Sequence, residues 1–75
     1  MLRMSYKNTR GEKHTISYES HSRPQSDILQ LEEVLQIDVD GDDIHIARNM
    51  NLPIAYGRPY TRYQGDLAKF IWDNL

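Results

Sequence analysis

The sequence predicts a small α+β domain, an antiparallel sheet of hairpins covered on one face by two helices, in the order β-β-α-β-β-β-α. Three observations lead there. Short runs of alternating apolar and polar residues come in pairs separated by turn residues. Two other stretches space their apolar residues by three and four, the helical period. At 75 residues without a Cys, the chain has room for one domain (1–75) whose thin core must hold by hydrophobic packing, with self-association as the remaining aid.

Leu2, Met4 and Tyr6 alternate with Arg3, Ser5 and Lys7, and His14, Ile16 and Tyr18 alternate with Thr15, Ser17 and Glu19. Between these half-buried strands, Asn8-Thr9-Arg10-Gly11 has Asn at the first turn position and Gly at the fourth, the chemistry of a type I turn closed by a left-handed Gly. The first element is a β-hairpin. Pro24 then breaks the strand and suits the first turn of a helix, which the spacing of Ile28, Leu31 and Leu35 carries to about Leu35.

Gln36 to Val39 and Ile44 to Ala47 alternate again around Asp40-Gly41-Asp42-Asp43, which reads as a second hairpin. A two-residue turn would set Asp38 against Asp43, a like-charge pair, so the expected register is a four-residue loop with Val39 opposite Ile44 and Asp38 opposite His45. Leu52 to Tyr56 reads as a short strand that Pro53 confines to an edge. From Thr61 the pattern is helical to the end, with Thr61 and Gln64 at capping-box spacing. Leu67, Phe70, Ile71 and Trp72 are the expected core of this terminal helix, which holds the only Trp and the only Phe.

The net charge of −2 hides a segregated distribution. Residues 1 to 23 are basic, Pro24 to Ala47 contain seven acids and no Lys or Arg, and Arg48 to Tyr63 carry Arg48, Arg58 and Arg62 without an acid. Separated acidic and basic surfaces are the sharper expectation, solvated faces the plainer one. No apolar run approaches a membrane span, and MLRMSYKNTR lacks the apolar core of a signal peptide, so the expectation is a cytoplasmic protein with no membrane partner.

No constellation matches a catalytic or metal motif. The acidic run 38 to 43 fails the EF-hand pattern, since counting from Asp38 places Asp43 where Gly is required and Asn49 where Glu is required. The three His have no helical metal spacing, and no nucleophile motif or phosphate-binding Gly loop occurs. The reading is therefore of a non-enzyme without cofactor or metal. Tyr56 to Tyr63 stands apart, because it interleaves Tyr and Arg, the residue types enriched at interface hot spots.

These features point to a small protein-binding module, a regulator or inhibitor of a larger protein. The expected partner surface comprises Arg58, Tyr60, Arg62 and Tyr63 with an acidic face of Asp38, Asp40, Asp42 and Asp43. Two other readings use the same residues differently: single-stranded nucleic-acid binding through segment 56 to 63, since Tyr stacks on bases and Arg pairs with phosphates, and a structural homo-oligomer held by its opposed charge blocks.

Overall fold

A computed structural model describes the whole chain, Met1 to Leu75. It is an α+β fold with four antiparallel strands: β1 (Leu2–Asn8), β2 (Lys13–Tyr18), β3 (Leu31–Asp40) and β4 (Tyr60–Gln64), in the spatial order β2-β1-β3-β4. The helices are a single turn α1 (Ser26–Leu29), a short α2 (Ile44–Asn49) and the terminal α3 (Asp66–Asp73). Two 3-10 turns, Ser20–Ser22 and Gly41–Asp43, precede α1 and α2. No helix is long and apolar enough to cross a membrane.

The first hairpin forms as its turn residues dictate. The Gly11 N–H donates to the Asn8 carbonyl at 3.0 Å, the Asn8 N–H donates to the Glu12 carbonyl at 2.9 Å, and Gly11 takes φ +80°. Asn8 reinforces the turn, its Oδ1 accepting from the backbone N–H groups of Arg10 and Glu12.

Three local expectations are corrected. The helix expected to reach Leu35 stops at Leu29, where Gln30 turns left-handed at φ 52°, and the chain enters β3. The reason lies in two bulges: Asn8 pairs with Leu31, Lys7 with Glu33, Tyr6 with Val34 and Ser5 with Gln36, so Glu32 and Leu35 are the extra residues. Each insertion stretches the core-facing spacing to three, so Leu31 and Val34 fall at helical spacing, and Leu35 completes the apparent stripe only because it is an inserted residue. Leu35, as a bulge residue, is not packed on the core.

The second hairpin does not form. After β3 the chain makes the 3-10 turn and then α2, so the expected pairing of Val39 with Ile44 and of Asp38 with His45 is absent. Ile46 and Ala47 are buried together and Met50 packs one turn later, a helical stripe. Asp42 and Asp43 precede that stripe, at a helix N-terminus where negative charge is favoured. Four residues of Ile-His-Ile-Ala are too few to tell one period from the other.

The third correction concerns the last third. Leu52 to Pro59 is an irregular loop, and the strand falls at Tyr60–Gln64, where a loop and helix start were expected. Thr61 caps no helix, since its Oγ1 accepts the Ala55 N–H at 3.0 Å. The terminal helix starts at Asp66, after Gly65, and presents Ala68, Ile71 and Trp72 to the core, with Leu75 packed beside them. Phe70 and Leu67, expected inside, are 45% and 43% exposed.

Packing is one-sided. Leu2, Met4 and Tyr6 of β1, Tyr18 of β2, Ile37 and Val39 of β3 and Tyr63 of β4 meet α2 and α3 in a single cluster. The Trp72 indole sits edge-on to Tyr18, with ring centroids 5.7 Å apart, and donates to Ser26 Oγ at 3.2 Å. The residues of alternate parity face outward: Ser5 Oγ lies 3.1 Å from Thr15 Oγ1, and the Gln64 amide donates to Gln36 at 2.9 Å. One sheet face is thus core and the other is an open polar surface.

Candidate functional site

The open face carries a cluster built by three adjacent strands. The β1–β3 register sets Arg3 beside Asp38, and the β3–β4 register sets Asp38 beside Arg62 and Asp40 beside Tyr60. Arg62 grips Asp38 with two bonds, Nε to Oδ1 at 3.0 Å and Nη2 to Oδ2 at 3.2 Å. Arg3 reaches the next residue of that face, its Nη2 lying 2.8 Å from Asp40 Oδ1.

Both guanidiniums lie near the Tyr60 ring. The Arg3 Cζ is 5.6 Å and the Arg62 Cζ 5.5 Å from the ring centroid, both within cation–π range. Each arginine is held in its charged form: the Asp40 hydrogen bond raises the pKa of Arg3, and the Asp38 hydrogen bond, followed by its Coulombic attraction, raises that of Arg62. Both cations are fixed by carboxylates that the same sheet face supplies.

Beside this cluster the loop before β4 opens a groove of about 540 Å³, lined by Arg58, Pro59, Tyr60 and Arg62 among others. Arg58 is exposed and makes no ion pair. Tyr56 stands 71% exposed at the loop's bend. The loop is anchored below, where the Tyr63 hydroxyl donates to the Pro53 carbonyl and the Gly41 N–H donates to the Pro59 carbonyl at 2.9 Å.

The residues expected to form the partner surface separate into two groups. Arg58, Tyr60, Arg62, Asp38 and Asp40 share the open face or its rim. Tyr63 does not belong with them: alternation along β4 turns its ring into the core, 2% exposed, and that burial raises its phenol pKa. The four acidic residues do not form one face, since only Asp38 and Asp40 lie on the open one. Asp38 and Asp40 are taken by arginines, and Asp43 is buried and accepts from the Met1 amino group. Asp42 remains outside, with a side chain 79% exposed and an oxygen 3.5 Å from the same amino group.

Charge blocks that are separate in sequence are therefore neutralised across the strands. No three His, Asp or Glu side chains converge in an arrangement that could hold a metal ion. One member of the cluster lies outside the expected partner surface: in the sequence Arg3 is only a polar residue in the alternation of the first hairpin. Only the pairing of β1 with β3 brings it to Tyr60, and that long-range contact leaves no local signal. No protein-family model, no curated protein and no solved structure matches the chain.

Proposed function

We propose that the chain is a non-catalytic protein-binding module, a regulator or inhibitor of a larger protein, which meets its partner through the Arg58–Arg62 end of the open sheet face. The observation that supports this most is that Arg3 and Arg62, from two different strands, both lie within cation–π range of Tyr60, at 5.6 and 5.5 Å. Truncation of Tyr and Arg residues dominates the energetics of protein interfaces, and side chains already immobilised lose less entropy on binding. The cluster and its rim hold three guanidiniums, of Arg3, Arg58 and Arg62, against the carboxylates of Asp38 and Asp40. The surplus favours an acidic patch on the partner.

The test is affinity capture with identification by mass spectrometry, followed by titration of the purified partner. Arg58→Glu touches no ion pair and should leave folding unchanged while weakening binding about tenfold or more. Tyr60→Ala should weaken it comparably. A partner indifferent to both variants would overturn the reading. Fluorescence anisotropy with mixed-sequence single-stranded RNA and DNA supplies the contrast. Binding there that collapses steeply with salt and needs Arg58 would assign the segment to nucleic acid instead.

A further inference from the structure

The two edges of the sheet are treated differently. Outside β4 the loop Leu52 to Pro59 covers the strand, tied to it by the Tyr63–Pro53 and Thr61–Ala55 hydrogen bonds. Outside β2 nothing plays that part. No backbone hydrogen bond from beyond the hairpin reaches Lys13–Tyr18, and Lys13, His14, Thr15 and Ser17 are exposed. The strand carries no Pro, no Gly and no bulge, the usual devices that keep an edge from pairing.

Its outward-pointing groups follow from the ladder. Asn8 bonds Glu12 at 2.9 Å on one side of β1, and Asp40 bonds Met1 at 3.1 Å on the other. Antiparallel pairs alternate between hydrogen-bonded and open. Residues 14, 16 and 18 thus turn their N–H and C=O toward β1, and Lys13, Thr15 and Ser17 turn theirs to the free edge.

We propose that this edge pairs with the β2 edge of a second copy of the chain, antiparallel and two-fold symmetric about Ile16, to make one continuous eight-stranded sheet. Side-chain faces match only when opposed residues have the same parity. Centring on Ile16 satisfies this and sets Ile16 on Ile16, Thr15 opposite Ser17, and Lys13 opposite Glu19 of the second copy. Glu19, just past the end of β2, is extended at φ −84° and ψ 148°, so its side chain keeps the alternation of the strand, while its carbonyl accepts the Ser22 N–H at 3.0 Å and the pairing there is between side chains. Centring on Thr15 instead leaves Lys13 facing Ser17 with no counter-charge.

Charge supplies the choice of occupant. Within one chain Lys13 lies directly opposite Lys7, a like-charge pair, and Lys7 has Glu33 on its other side. Addition of the second copy extends the row as Glu33, Lys7, Lys13, Glu19, so the two lysines are flanked by acids, the second of which also lies 3.8 Å from its own Met1 amino group. Lys13, the residue that guards the edge against unspecific pairing, becomes the one that fixes the register. The two Tyr60 clusters then sit at opposite ends of the sheet, roughly seven strand spacings or about 34 Å apart.

Sedimentation velocity across a micromolar concentration series tests this. The wild-type chain should show a monomer–dimer equilibrium. Lys13→Glu and Glu19→Lys should each weaken it about tenfold or more, because every substitution enters a two-fold interface twice. The doubly exchanged variant, Lys13→Glu with Glu19→Lys, should recover most of the loss. Lys13→Glu also places an acid opposite Lys7, so its thermal midpoint as a dilute monomer should not fall, which separates lost pairing from lost folding. Thr15→Pro removes an N–H that points away from β1 and should abolish the dimer. A chain that stays monomeric throughout, a dimer unmoved by the single exchanges, or a double exchange as weak as either single one would overturn the proposal.

Discussion

Asp38 holds Arg62 by both carboxylate oxygens across the β3–β4 ladder, at 3.0 and 3.2 Å, while its own residue is 8% exposed. The pair is asymmetric: the Arg62 side chain is 50% exposed, so solvent screens much of the attraction. Asp38→Asn keeps the shape and removes the charge. It should lower the urea midpoint at low salt, by less than truncation of a core residue does, and the loss should shrink as salt rises. Equal stability of variant and wild type at low salt would show that the pair only positions Arg62.

The terminal helix makes a sharper comparison. Ile71 is fully buried and Phe70 is 45% exposed, although both are large and adjacent. Ile71→Ala should cost about 2–5 kcal/mol, whereas Phe70→Ala should stay within about 1 kcal/mol. Chemical denaturation with Trp72 fluorescence measures both. The native emission should be that of a buried indole, since Trp72 is 2% exposed. A Phe70→Ala variant as damaged as Ile71→Ala would place the helix a third of a turn from its observed orientation.

What the sequence made legible was local. Asn8 and Gly11 act within their own turn, so the first hairpin and its left-handed glycine follow from four residues. The one-sided antiparallel sheet likewise follows from alternation. The elements misread were those in which tertiary contacts decide between two periods. In β3 the bulges at Glu32 and Leu35 convert a period of two into three, and those bulges exist only because β1 lies alongside. In α2 the β-branched Ile44 and Ile46 favour a strand, yet burial of Ile46 and Ala47 under the sheet selects a helix. The candidate site shows the same limit. Tyr60 and Arg62 were visible as residue types, while their anchoring by Arg3, Asp38 and Asp40 required knowing which strands are neighbours.

Tyr18 offers a prediction about polarity in the core. Its hydroxyl is buried and has no hydrogen-bond partner, although the ring packs edge-on against Trp72. Tyr18→Phe keeps the ring contact and removes the unsatisfied group, so it should stabilise the domain by about 1 kcal/mol. Burial raises the phenol pKa above its ordinary 10.0, with Arg23 pulling weakly the other way. A raised folded-state pKa stabilises fully below the unfolded value and is lost as pH climbs through the folded one. Wild-type stability should thus fall above about pH 10 more steeply than that of Tyr18→Phe, as alkaline unfolding curves would reveal. Identical curves would mean that the hydroxyl is solvated.

The junction of β4 with α3 rests on Gly65, which adopts φ 59° and ψ −128°. Its N–H donates to the Leu35 carbonyl at 3.3 Å and its carbonyl accepts from Lys69 at 3.1 Å, so the residue joins a bulge of β3 to the first turn of α3. A Cβ there would meet nothing within 4 Å, and any penalty for adding one is therefore backbone strain alone. That conformation lies outside the left-handed helical region Asn tolerates, whereas Gly11 at φ +80° sits in a turn that Asn accepts. Gly65→Ala and Gly65→Asn should each cost about 1–3 kcal/mol, while Gly11→Asn should cost well under that. Urea titration of the three variants reads the difference. If Gly65→Asn proved as mild as Gly11→Asn, the junction would be free to relax, and packing of Ala68, Ile71 and Trp72 alone would set the direction in which α3 leaves the sheet.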